Sequence, residues 1–151
     1  MPDVENTHPS RRLTTPDGVT ADIDLDMVPL VKALWALHLR TAGCCQDLGE
    51  SIASGPGWAQ GPGRQRHAAY YTGQAWLKMP VTDAQTMLGL LLSHPDMEQR
   101  LNRWTRPGAW EVFSYLVADE GRIVQSGWAQ IHFPKAQIPE VIEHLRAATA
   151  A

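Results

Sequence analysis

Cys44 and Cys45 stand side by side in the run Thr41-Ala42-Gly43-Cys44-Cys45-Gln46-Asp47, after a strongly apolar stretch, and they are the only cysteines among 151 residues. At an element boundary a side chain can be aimed at a cleft, so the pair is the first place to look for chemistry. A disulfide between them is disfavoured, because neighbouring Cα atoms across a trans peptide lie about 3.8 Å apart, below the usual disulfide window. A structural zinc site wants cysteines two to four residues apart so that both thiolates converge on one ion, and adjacent side chains diverge instead. Zinc would then need distant histidines such as His67 or His132, and neither a metal nor another cofactor is expected. Thiol catalysis needs a thiolate, a histidine near it and a group that orients the histidine. Cys45 with His132 or His67 is the catalytic set offered, with His94 a further choice of base. The favoured reading is plainer: free cysteines are among the most buried residues and fill small spaces where helices end.

A second constellation is basic and aromatic. Arg64, Arg66 and His67 precede Tyr70, Tyr71 and Trp76, and Arg100, Arg103, Trp104 and Arg106 gather further on. Guanidinium groups beside aromatic rings can hold phosphates and stack on bases. Arg64, Arg66, Trp76, Arg103 and Trp104 are therefore ligand-binding candidates, and Gln46, beside the cysteine pair, is a further one that rests on the resemblance given below. Nucleic acid is the less favoured partner, because the net charge of −3 gives no general attraction to polyanions or acidic membranes. On that reading Trp104, Trp110 and Trp128 anchor the core and the arginines form a solvated rim. Asp22, Asp24 and Asp26 share one face of an alternating segment, but a strand face without a glycine turn is not a calcium loop.

The elements that must position these residues follow from periodicity. The first 18 residues, ending Thr14-Thr15-Pro16-Asp17-Gly18, are polar and aperiodic and read as a disordered tail, leaving residues 19–151 as one domain. Val19 to Asp26 alternates as a half-buried strand. Asp26 is placed to cap a helix carrying Pro29, Leu30, Val31, Leu34, Trp35 and His38, the last expected half-buried at its end. From Gly43 to Gly63 no period survives, and the stretch reads as a long flexible loop. His67 to Lys78 alternates as a strand. Thr82-Asp83-Ala84-Gln85 reads as a capping box opening the helix of Met87, Leu88, Leu91 and Leu92, and a second helix runs from Pro95 to about Trp104. Ala109 to Ala118 and Arg122 to Phe133 form an antiparallel hairpin turned at Asp119-Glu120-Gly121. Large apolar groups on both faces of its first strand call for cover on both sides, by helices or a second subunit. Ile138, Val141, Ile142 and Leu145 mark a closing helix. The sum is an α+β fold, a single layer of helices on a mainly antiparallel sheet.

The segment from Asp24 to Gln46 resembles small uncharacterised proteins of actinobacterial phages, prophages and their hosts. Those proteins carry a strand ending in acidic residues, a Pro-Leu-x-x-Ala-Leu-Trp helix and a Thr-x-x-Ser-Cys-Gln turn. The matching residues here are Asp24, Asp26, Pro29, Leu30, Ala33, Leu34, Trp35, Thr41, Cys45 and Gln46. Cys44 replaces the serine of that pattern and His38 a position that tends to be glycine. The resemblance implies no particular activity, and it points to Cys45 rather than Cys44 as the position the fold is built around.

With no apolar run long enough to span a bilayer and no signal-peptide pattern, the chain is expected to be soluble and cytoplasmic, without a membrane partner. The expected function is that of a binding or accessory protein for a small-molecule or protein partner, with a homo-oligomer allowed by the two apolar sheet faces. The alternatives are a thiol-dependent enzyme built on Cys45 and a nucleic-acid-binding accessory factor.

Overall fold

A computed structural model describes residues 8–54, 61–102 and 108–150. In chain order its elements are β1 (Ser10–Thr14), β2 (Thr20–Asp24), α1 (Val28–Ala36), β3 (Gly43–Cys45), α2 (Leu48–Ser54), α3 (Pro62–Tyr71), β4 (Gln74–Pro80), α4 (Val81–Leu91), α5 (Met97–Asn102), β5 (Glu111–Phe113), β6 (Leu116–Asp119), β7 (Arg122–Gln125), β8 (Trp128–Pro134) and α6 (Ile138–Ala150). This is the α+β fold that the periodicities predict.

The centre is a four-stranded antiparallel sheet in the order β3-β4-β8-β5. On one face Ala75, Leu77 and Met79 stand opposite Phe133, Ile131 and Ala129, and all six are buried. Leu30, Val31 and Leu34 of α1, Met87 and Leu91 of α4, and Val141 and Leu145 of α6 close over that face. Each fully buried side chain of this size contributes on the order of 1.5–3 kcal/mol, so this layer holds the fold together. On the opposite face α2 reaches Cys45 through Ser51 and α3 reaches His132 through Tyr71. No helix among the described residues is long and apolar enough to cross a membrane.

Several expectations change. Residues 10–14, expected to lie in a disordered tail, form β1 and pair with β2 from Ser10↔Asp24 to Thr14↔Thr20. The Thr15-Pro16-Asp17-Gly18 run is the turn of that hairpin, with Gly18 at a φ of 83°. Asp26 makes no capping bond to α1; a 3-10 turn, Leu25–Met27, feeds the helix instead. The stretch from Gly43 onward holds β3 and α2, while residues 55–60, the tip of the expected loop, lie outside the described residues. His67 to Tyr71, expected in a strand, belongs to α3, which Pro62 opens and Gly73, at a φ of 80°, separates from β4. Thr82 lies inside α4, whose N-cap is Pro80, so the capping box does not form.

The hairpin turn is where the sequence places it, with Glu120 and Gly121 both left-handed at φ of 49° and 76°. Its strands, however, are each split in two. Ser114 Oγ donates to the Ser126 carbonyl at 2.8 Å and the Ser126 N–H donates to Tyr115 O at 2.7 Å, and beyond this joint β6 and β7 form a separate two-stranded ribbon. Cover on both faces holds only in part: Trp110 is buried and Phe113 lies parallel to His132 at 5.4 Å, but Val112 on β5, Tyr115 at the joint, and Leu116 and Ile123 on the ribbon are exposed.

Candidate functional site

The register of β3 on β4 decides what the two cysteines do. Cys45 stands opposite Trp76 and Cys44 opposite Leu77. Successive strand side chains point to opposite faces, so Cys44 turns into the helical layer and Cys45 toward α2. Gly43 is required beside them: a Cβ there would lie 2.9 Å from the Trp76 indole ring, which is fixed by its Nε1–H donating to Gln130 Oε1 at 2.6 Å.

Around Cys45 the chain assembles a buried polar cluster. Cys45 Sγ is 3.0 Å from Ser51 Oγ and 3.8 Å from His8 Nδ1. His8 Nδ1 is 3.2 Å from Asp24 Oδ2, and its Nε2 is 2.9 Å from Glu50 Oε2. The Gln46 N–H donates to the same Asp24 oxygen at 2.9 Å, and Gln46 Oε1 accepts the Asp26 N–H at 3.1 Å. Burial pushes the Cys45 thiol up to about 11, and burial together with the Asp24 carboxylate pushes Cys44 up to about 12. Among the described residues, His8, Asp24 and Cys45 bring three different ligand atoms within 4.8 Å of one another, close enough to share one ion.

Asp47 braces the floor of this cluster. Its side chain is 1% exposed; Oδ1 accepts the Glu50 N–H at 3.1 Å and so caps α2, while Oδ2 accepts the Gly73 N–H at 3.0 Å and Lys135 Nζ at 2.9 Å. Burial by itself would raise this carboxyl, but the Lys135 ammonium and the two backbone donors outweigh it and hold Asp47 below the usual carboxylate range. One aspartate thus ties α2, the start of β4 and the approach to α6 together.

No known protein family, curated protein or solved structure matches this chain. The site must therefore be read from its own geometry.

The residues expected to act with Cys45 are not brought to it. His132 shares its face of the sheet but lies two strands away, about 9.6 Å at the usual strand spacing, and is stacked between Tyr71 and Phe113. His67 is exposed on α3, edge-on to Tyr71 at 5.1 Å. Arg64 donates from Nε to the Ile52 carbonyl at 2.7 Å and so fastens α3 to α2, while Arg66 is exposed. Trp76 is occupied with Gln130 and Gly43. Arg100 is engaged by Gln137 and Glu140, and Arg103 and Trp104 lie outside the described residues. Among the described residues, two ligand-binding candidates lie beside Cys45: Gln46, whose N–H reaches Asp24, and Trp76, its cross-strand neighbour.

The sequence reading missed His8, Asp24 as a partner of Cys45, Ser51 and Asp47. The signals were the Pro-Asp-Gly turn, which implies a strand on each side, and Asp47 three residues before Glu50, the spacing of an N-cap and its third helical residue. Beside the cluster, Gln46 also lines an open cleft of about 650 Å³ between the 3-10 turn preceding α1 and the first half of α6. Leu25, Pro29, Ile138, Pro139 and Ile142 form its apolar walls, and Asp26, Gln46, Lys135 and Arg146 supply polar groups.

Proposed function

We propose that this chain is a small-molecule-binding accessory protein that takes a mostly apolar ligand with one or two polar groups into the cleft between the turn before α1 and the start of α6. The observation that carries this reading is the convergence of apolar walls and a few polar side chains in a space of about 650 Å³, within the range of sites for drug-sized ligands. Gln46 and Lys135 are preset for the task. Gln46 is held by Asp26, and Lys135 by Asp47, so neither loses much freedom on binding. A cytoplasmic setting is part of the proposal, since two free cysteines suit a reducing compartment. Cys45 and His8, 7% and 6% exposed, are too enclosed to meet a substrate, which argues against the thiol-enzyme alternative.

The test uses the fluorescent anion 8-anilino-1-naphthalenesulfonate, an apolar body with one polar group. It should bind the folded protein at one site, Ile142→Glu should weaken binding at least tenfold, and Ile123→Glu on the exposed ribbon should leave it unchanged. The opposite pattern would move the binding site to the ribbon and end the cleft reading.

A further inference from the structure

We propose that His8, Asp24 and Cys45 form a zinc site, with His8 Nδ1, Asp24 Oδ2 and Cys45 Sγ as ligands and a fourth tetrahedral position left for water or another ligand atom. The inference is independent of the cleft reading. Three different donors from three segments far apart in sequence converge behind the sheet edge: His8 ahead of β1, Asp24 at the end of β2 and Cys45 at the end of β3.

The spacing fits the ion. Zinc bonds of about 2.0–2.1 Å to nitrogen or oxygen and 2.3 Å to sulfur, set at tetrahedral angles, put ligand atoms about 3.4 Å apart for an N–O edge and 3.6 Å for an N–S edge. The corresponding separations are 3.2 Å for His8 Nδ1 to Asp24 Oδ2 and 3.8 Å for His8 Nδ1 to Cys45 Sγ. Both edges from His8 lie within about 0.2 Å of those values, and all three ligand atoms lie within 4.8 Å of one another.

The surroundings are those a metal-binding histidine needs. Glu50 Oε2, 2.9 Å from His8 Nε2, places the ring proton on Nε2 and leaves the Nδ1 lone pair facing Asp24 and Cys45. Ser51 Oγ at 3.0 Å can donate to a thiolate, and the Gln46 N–H orients Asp24. A neutral imidazole, one carboxylate and one thiolate also cancel the charge of a divalent ion, which a buried site requires. Binding replaces the thiol proton by zinc, and the proton leaves to solvent. A hard cation such as calcium or magnesium would not accept the sulfur. The competing arrangement is a doubly protonated His8 donating to both Asp24 and Glu50 beside a neutral thiol, which needs no metal.

The experiment begins with the metal-stripped full chain and Zn²⁺. One equivalent should bind and raise the melting temperature, and X-ray absorption of the zinc-loaded protein should show a shell of one sulfur with nitrogen or oxygen neighbours. Failure to retain zinc in the presence of a weak chelator, a shell of nitrogen and oxygen only, or a shell with two sulfurs would each overturn the proposal without any variant being made. With Co²⁺ the native protein should show thiolate charge-transfer absorption. That band should be lost in Cys45→Ser and His8→Gln and kept in Cys44→Ser, whose side chain faces the helical layer. Glu50→Gln should weaken zinc binding by about ten- to a hundredfold while leaving the single-sulfur shell intact; unchanged affinity there would remove the role given to Glu50.

Discussion

The substitution Gly49→Ala tests the packing that holds the site's floor, because two effects of opposite direction meet at one atom. Gly49 is helical, and replacing a helical glycine by alanine ordinarily stabilises by up to about 1 kcal/mol. Here a Cβ would lie 2.2 Å from the Thr72 amide nitrogen, 2.4 Å from Thr72 Cα and 2.5 Å from the Ala68 carbonyl oxygen. Ordinary contact needs about 3.5 Å, so backbone must give by roughly 1.3 Å. No flexible side chain can absorb that, since α2 and the end of α3 meet backbone to backbone. Overpacking of this kind costs up to about 3 kcal/mol, and occasionally more. Displacing Thr72 also drags Gly73, whose N–H donates to Asp47, and loosening a hydrogen bond to a charged acceptor costs about 1.5 kcal/mol or more. The net expectation is a loss of about 3 kcal/mol, or on the order of 10 °C in Tm for a domain of this size. Gly89→Ala supplies the control: Gly89 lies in α4 with nothing within 4 Å of its would-be Cβ, so the same change there should stabilise by a few tenths to about 1 kcal/mol. Urea and thermal unfolding followed by circular dichroism measure both. A Gly49→Ala protein as stable as its parent would refute the close approach of α2 and α3.

Asp47→Ala should cost about 2–3 kcal/mol in urea unfolding, since it removes a helix cap and the partner of Lys135 and Gly73, discounted because Lys135 is half exposed; Lys135→Met should cost about 1–3 kcal/mol, because it leaves the buried Asp47 carboxylate with backbone donors alone. His38→Gly should be stabilising by roughly 0.5 kcal/mol, because His38 holds a φ of 61° in the C-terminal motif of α1, and the relief of that strain exceeds the added freedom of the unfolded chain; a lower midpoint would refute it. Amides of β6 and β7 should exchange with deuterium well ahead of those in β4 and β8, because the ribbon is a lone pair of strands. Protection equal to that of β4 would mean that another surface covers it.

How much of this was legible in the sequence depended on how much each element buries. The helices α1, α4 and α6 cover the sheet with broad apolar stripes, so their periods were plain, and Glu120-Gly121 announced its turn by residue type. α2 is only seven residues long and buries Gly49 and Ile52, too little to show a period. α3 buries Ala68 alone, and its paired Ala68-Ala69 and Tyr70-Tyr71 fit either a helix or a strand. β1 is largely exposed, so its pairing is fixed by the turn and by hydrogen bonds rather than by an apolar pattern. The site was half legible: Cys45 stood out by chemistry, whereas the contact of Cys45 with His8 spans 37 residues and exists only once the β1–β2 hairpin has formed. His38 shows the reverse case: its backbone is left-handed at a φ of 61°, a conformation that favours glycine, and nothing in its residue type announced it.

Two identical thiols at neighbouring strand positions make β3 chemically ambiguous to a slip of one residue. Such a slip turns every side chain to the other face, and here it would hand the His8 pocket a cysteine all the same, Cys44 in place of Cys45. Sulfur chemistry therefore cannot select the register. The choice falls to the flanking residues: a slip would bring the Cβ of Ala42 to where Gly43 lies, about 2.9 Å from the Trp76 indole ring, and would take Asp47 away from Gly73 and Lys135. Which thiol meets the histidine is decided by residues that carry no sulfur, on either side of the pair.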